Sequence, residues 1–382
     1  MGYIALGDLI SKAQVEKCGK REFPVLSMTM HDGIVFQNDR FKKDIASIDR
    51  SNYSVVGFNQ LVVSFPIDEG VLAVQDITEA GIVSPAYKIW DIDQALLVPK
   101  YLEMWLRSPR SIDYYKSKLR GTTARRRSIP EEDFLGMRVN VLPKEEQERI
   151  VDLITRVKGV ILLREQELVA LDDLIKARFV EMFGDETNPY QWPVVNVEDV
   201  ANVSVGVVIK PAQYYTDAEH GVKAFRSLNI GAGTIKDSDW VYFSHEGNDK
   251  NSKSQLREND LLIVRSGAPG TACVVPKVYE GCNAIDIIIA RPETDKVNPY
   301  YLCTYTNLPH GKRQIDEGTG GAAQQHFNVG KYNKLQLMLP PLKQQNEFVS
   351  FLEQIDKSKS VIQKSLEETQ LLFDSLMQEY FG

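Results

Sequence analysis

Two stretches of the chain carry apolar residues at alternating spacings of four and three. In the first the series is Ile150, Ile154, Val157, Ile161, Leu168, Leu171 and Ile175, interrupted by Arg164; in the second it is Phe348, Leu352, Ile355, Ile362, Leu366, Phe373 and Leu376, interrupted by Lys359 and Thr369. Such a repeat is the seam of a coiled coil, where each side chain inserts between residues of a facing helix. Helices are therefore predicted over 144–183 and 342–380. About 40 residues at about 1.5 Å each make a rod of roughly 60 Å, too long for one small domain to cover. Charged residues flank both stripes, so the helices are expected to pair in antiparallel fashion, which would set the globular parts at opposite ends. The other arrangement open to the sequence packs each helix only on its own domain.

The two stretches are copies. Aligned without a gap, residues 142–184 and 340–382 are identical at Pro143/Pro341, Gln147/Gln345, Val151/Val349, Leu168/Leu366, Leu174/Leu372, Glu181/Glu379, Phe183/Phe381 and Gly184/Gly382. Average residue usage gives roughly two or three matches over such a length by chance. Before each helix, apolar residues alternate at Met137, Val139 and Val141 and at Leu335, Leu337 and Leu339, the period-two pattern of a half-buried strand. Further upstream, Pro99-Lys100-Tyr101-Leu102 matches Pro299-Tyr300-Tyr301-Leu302, Asn59-Gln60-Leu61-Val62-Val63 matches Asn259-Asp260-Leu261-Leu262-Ile263, and Leu6-Gly7-Asp8-Leu9 echoes Val197-Glu198-Asp199-Val200.

Short β-branched segments bounded by turn residues predict strands at Leu61–Phe65, Val71–Val74, Leu261–Val264, Ala272–Val275 and Ala284–Ala290, and the clearest helix outside the rod is Tyr101–Leu119. The expected architecture is α+β: two mixed, strand-rich domains over 1–142 and 185–339, joined by two long antiparallel coiled-coil helices over 143–184 and 340–382, with an internal pseudo-twofold repeat.

Composition narrows the function. At 382 residues and 43% hydrophobic, the chain can bury ordinary domain cores. It has no bilayer-length apolar run and no signal-peptide pattern at its start, and Leu6 stands where a myristoylation motif needs Ser or Thr, so a cytoplasmic protein is expected. Cys18, Cys273, Cys282 and Cys303 show no metal-ligand spacing and are expected to be reduced and structural. The net charge is −7, and no domain is strongly basic: residues 1–142 hold 19 Lys and Arg against 18 Asp and Glu, and 185–339 hold 15 against 18. Tight autonomous nucleic-acid binding is thereby disfavoured, since phosphate neutralisation supplies much of such affinity. A local basic face remains: Lys116, Lys118, Arg120, Arg125, Arg126 and Arg127 form the densest positive cluster, either a phosphate contact or a solvated loop. Gln324, Gln325 and His326 occupy the corresponding place in the second half.

Catalytic patterns are absent. Gly267-Ala268-Pro269-Gly270-Thr271 lacks the lysine of a phosphate-binding loop and reads as a turn. Asn188-Pro189-Tyr190 and Asn298-Pro299-Tyr300 also read as turns, and the five histidines are scattered. A binding protein without a cofactor is favoured over an enzyme.

Each half closes on a proline segment, a glutamine and a long helix: Leu142-Pro143-Lys144-Glu145-Glu146-Gln147 with Ile150-Val151, and Leu339-Pro340-Pro341-Leu342-Lys343-Gln344-Gln345 with Phe348-Val349. This layout, over the whole chain, resembles the specificity subunit of type I restriction-modification systems. Val25 to Thr29 followed by Asp32 to Val35, and Phe225 to Ile230, look like early strands of its recognition domains, and Arg265-Ser266-Gly267 resembles their central hairpin. The resemblance implies two target recognition domains, each reading a half-site of double-stranded DNA, with the rod as the ruler between them. It implies two methyltransferase subunits carrying S-adenosylmethionine, joined by restriction subunits with ATP-driven motors. The residues expected to face DNA are Ser27, Thr29, His31, Lys118, Arg120, Arg125, Arg126 and Arg127 in the first half, and Arg226, Asn229, Arg265, Ser266, Gln324, Gln325 and His326 in the second. A non-catalytic coiled-coil adaptor with two protein-binding ends is the alternative, and a subunit serving a methyltransferase without restriction is a third reading.

Overall fold

The computed structural model describes residues 2–30, 32–40, 49–65, 67–119, 129–319 and 327–382. They form two compact units, Met1–Gln166 with Gln363–Gly382, and Glu167–Ile362. Each unit contains one globular part and segments of both long helices.

Both units are built on one plan. The first has an antiparallel four-stranded sheet in the order Ile10–Lys12, Lys88–Ile92, Leu61–Val63, Leu72–Val74. In the second the order is Ala201–Val205, Ile287–Pro292, Leu261–Val264, Ala272–Val274. Registers correspond: Leu61 lies opposite Trp90 and Val74, and Leu261 opposite Ala290 and Val274. Successive side chains of a strand point to opposite faces, and here both faces are covered. Leu61, Leu72 and Val74 join the core containing the helices, whereas Val62 and Ala73 join a second core beneath the hairpin Leu26–Thr29/Gly33–Phe36. Leu261, Ala272 and Val274 divide from Leu262 and Cys273 in the same way.

The strand before each rod helix pairs with the beginning of its own domain. Arg138–Asn140 pairs with Tyr3–Ala5, and Gln336–Met338 with Val194–Asn196, which places Val139 against Ile4 and Leu337 against Val195. The matched Asn59 and Asn259 each take a left-handed backbone (φ 63° and 70°) at the turn into the central strand, a conformation that Asn tolerates better than most residues.

Three local expectations need correction. The stretch 101–119 is two helices, Pro99–Leu106 and Pro109–Lys118. Pro109 cannot continue a helix but suits the first turn of one, and the Ser108 side chain accepts a hydrogen bond from Ser111 N at 3.3 Å. The stretch 284–290 is interrupted: Asn283–Ala284 and Ile287–Pro292 are separate strands, with Asp286 at φ 51° between them. Asn298-Pro299 is a helix cap rather than a free turn, Asn298 Oδ1 accepting from Tyr300 N at 2.9 Å.

The long helices are Lys144–Phe183 and Leu342–Phe381. In the first unit Ile150 and Ile154 share a core with Phe373, Met377 and Phe381, and Arg149 Nη2 donates to Tyr380 Oη at 3.3 Å. In the second, the rings of Phe179 and Phe348 are 5.4 Å apart, Ile175 packs on the core holding Leu352, and Lys359 pairs with Asp172. In each unit low numbers on one helix meet high numbers on the other, so the helices run antiparallel. No residue of the two seam series is exposed. Arg164, Lys359 and Thr369, the breaks in the series, are half-buried on the same face.

Candidate nucleic-acid interface

The hairpin tip of the first domain is fastened from below. Arg107 donates to Met30 O and approaches Glu103 Oε1 at 3.4 Å, while Glu103 Oε2 accepts from Val74 N and from Lys100 Nζ, both at 3.0 Å. Burial opposes the charge on Lys100, but Glu103 and Asp76 outweigh it and hold its pKa above the ordinary lysine value. Gly33 at φ 70° lies against this network; a Cβ there would sit 3.1 Å from Ala73 Cβ and 3.4 Å from Arg107 Nη1. Gly233, at φ 72°, holds the matching position in the second domain and donates to Ala272 O at 2.8 Å.

Several expected contact residues are engaged inside the fold. Thr29 is buried, and its hydroxyl accepts from Asp32 N at 2.9 Å. Asn229 is fully buried, accepting from Arg226 N at 2.8 Å and donating to Ser238 O at 2.7 Å. Arg226 donates to Asp239 O. Arg265 Nε donates to Phe327 O at 3.1 Å, and its guanidinium pairs with Asp286. Lys118 Nζ lies 3.5 Å from Asp133 and over the Tyr114 ring. Ser27 and Ser266 are half-buried. His31, Arg120, Arg125, Arg126, Arg127, Gln324, Gln325 and His326 lie outside the described residues.

Two cavities had no counterpart in the sequence reading. One, of about 370 Å³ in the second unit, is lined by Gly233, Thr234, Tyr300, Cys303, Asn307 and the charged Asp172, Asp356 and Lys359 among others. Residues 300, 303 and 307 stand where Lys100, Glu103 and Arg107 interlock in the first unit, so shorter or uncharged side chains leave space there. Burial pushes the Cys303 thiol up to about 12. The other, of about 70 Å³ in the first unit, lies between Phe65, Trp90 and Phe134. A comparison of the halves position by position was the available signal for both.

Among the described residues no cluster of His, Cys, Asp and Glu could hold a metal, and no helix is long and apolar enough to cross a membrane. Residues 188–370 match the type I restriction modification DNA specificity domain. The chain belongs to the type I restriction-modification specificity family. The type I restriction enzyme EcoBI specificity subunit of Escherichia coli is 20% identical over 190 residues of this specificity chain, a match covering 50% of it and 40% of the relative. The specificity chain thus aligns with less than half the length of that relative. Its fold is similar to that of a chain from a structure of complex assembly and conformational transition in a type I restriction-modification system, at TM-score 0.59 and 16% identity, covering 99% of this chain and 97% of that one. It is likewise similar to the restriction-modification S subunit from M. genitalium, at TM-score 0.59 and 12% identity, covering 100% and 96%.

Proposed function

We propose that this chain is the DNA-recognition subunit of a type I restriction-modification complex and carries no chemistry of its own. Domains 1–142 and 185–339 each read one half of a bipartite, asymmetric site in double-stranded DNA. The helices over 143–184 and 340–382 set the spacing of the half-sites and dock two methyltransferase subunits; restriction and motor subunits join in the full complex. The chain itself needs no cofactor, and the complex works in the cytoplasm.

The observation that carries this reading is the repeated sheet, the same strand order and register built from different sequences. Two modules alike in frame and unlike in surface suit a target with two different halves. Apolar side chains left exposed on the long helices, Leu162, Leu163, Leu371 and Leu372 in the first unit and Val169, Leu174 and Val361 in the second, favour a protein partner there.

The test is to co-express the chain with methyltransferase subunits, map the methylated sites, and insert seven residues in register into both helices. One heptad keeps the seam and adds about 10 Å. The half-sites should stay the same while the spacer grows by roughly three base pairs. An active complex with unchanged spacing would remove the ruler.

A further inference from the structure

The small cavity of the first domain is walled by Val63, Phe65, Ile67, Trp90, Ile129 and Phe134, with the Lys88–Glu131 ion pair (2.8 Å) at its rim. Its lining is almost wholly apolar, with one exception. Trp90 is 2% exposed, and its indole N–H has no hydrogen-bond partner among the described residues. Folded proteins rarely leave a buried donor in that state. Phe65, by contrast, is 53% exposed.

The second domain closes the same place with its own side chains. Arg265 stands where the first domain has Phe65, and its Nε bonds to the carbonyl of Phe327, the counterpart of Ile129. Ala290 replaces Trp90 opposite the central strand, as the paired registers show. The site is thus filled in one domain and open in the other. In sequence Ile129 follows directly on Arg125-Arg126-Arg127-Ser128, so the cavity belongs to the foot of the basic segment.

We infer that this cavity reads a thymine: the 5-methyl group enters the apolar walls while the Trp90 N–H donates to the adjacent O4. This rests on the DNA-recognition reading. In the major groove thymine alone presents a methyl group beside an acceptor, whereas cytosine presents an amino donor that would face the indole donor. A cavity of about 70 Å³ is several times the roughly 10–15 Å³ that one water needs, which suits a methyl and a carbonyl and is small for a purine.

The assembled complex of the full chain with its methyltransferase subunits would select duplexes from a randomised pool, and each selected thymine would then be replaced by deoxyuridine. One thymine should lose about fourfold in affinity, the worth of one buried methyl. In Phe65→Ala, a change at an exposed position, that ratio should fall towards one. Trp90→Phe should keep the methyl effect and lose discrimination against cytosine at the same position. Selection of a defined site with no methyl effect at any thymine overturns the inference and leaves the DNA-recognition reading standing. So does a Phe65→Ala variant that weakens subunit assembly while leaving the ratio intact. No enrichment of any sequence overturns both.

Discussion

Gln147 and Gln345 make the same three hydrogen bonds in their two domains. Gln147 Oε1 accepts from Val98 N at 2.8 Å, and its Nε2 donates to Leu96 O and Leu142 O at 2.9 Å. Gln345 Oε1 accepts from Asn298 N at 2.8 Å, and its Nε2 donates to Pro340 O at 2.7 Å and Lys296 O at 3.4 Å. Both amides are fully buried, so each ties the first turn of a long helix to the loop that launches the helix at Pro99 or Pro299. Replacing either by leucine strands one backbone N–H and two carbonyls. Each orphaned group costs about 1–3 kcal/mol; with some relaxation the variant should lose roughly 3 kcal/mol in urea unfolding. An unchanged midpoint would mean that the loop rearranges freely.

A seam position and an exposed apolar position on the same helix should respond differently. Ile154 and Leu352 are buried in the first and second units. Ile154→Asp or Leu352→Asp places an unpaired charge in a core and should destabilise by several kcal/mol. Leu163, largely exposed, should tolerate alanine within about 0.5 kcal/mol in the isolated chain. Equal melting temperatures for all three would refute the seam.

The seam, the repeat and the strands before the helices were legible because each is a periodicity, and burial of one face enforces periodicity over many residues. The glutamines were visible as matches but not as hydrogen-bonding devices, because their partners lie about 50 positions away in loops without a pattern of their own. Tyr101–Leu119 misled because apolar spacing continues across Ser108-Pro109 while the backbone cannot. Arg265 and Asn229 drew attention as polar residues near hairpins, yet Phe327 O and Ser238 O claim their side chains. Sequence gives the donor and not the acceptor it finds.

Phe381 should matter far more than its penultimate position suggests. Its ring is fully buried, 5.4 Å from that of Tyr101 and 6.0 Å from that of Trp105, while Arg110 Nη1 reaches Gly382 O at 3.4 Å. Phe183 stands in the same relation to Tyr301 at 5.0 Å. Phe381→Ala should cost about 3–5 kcal/mol, and deletion of Phe381 and Gly382 at least as much. Limited proteolysis should then open residues of the first unit before those of the second.

The buried thiols predict an alkaline limit to stability. Burial pushes Cys282 to about 11, partly offset by Lys223, and Cys303 to about 12. A folded-state pKa above the unfolded one means that the native chain keeps protons the unfolded chain has released. Their contribution is therefore fully present below the ordinary thiol value of about 8.5 and falls as pH rises through the folded values. Urea midpoints should drop between pH 8 and 10, and less so in Cys282→Ala. Iodoacetamide should label Cys303 in the native protein at pH 8 only at the rate of unfolding; prompt labelling would contradict its burial.

The arginine run tests the DNA face directly. Arg125, Arg126 and Arg127 belong to a domain with nearly balanced charge, so a grip on phosphate there must be local. Phosphate contacts hold a duplex without reading it, so their loss should weaken all sequences alike. Replacing the three by alanine in the assembled methyltransferase should reduce affinity for target and non-target duplexes by similar factors. The slope of log affinity against log salt should become shallower by about 0.9 for each lost contact. The glutamine and histidine run at Gln324, Gln325 and His326 carries no fixed positive charge, so its alanine variant should leave the slope in place. Should the arginine variant retain both affinity and slope in a fully assembled complex, the run is a solvated loop, and the grip on DNA must come from other surfaces of the domains or from the partner subunits.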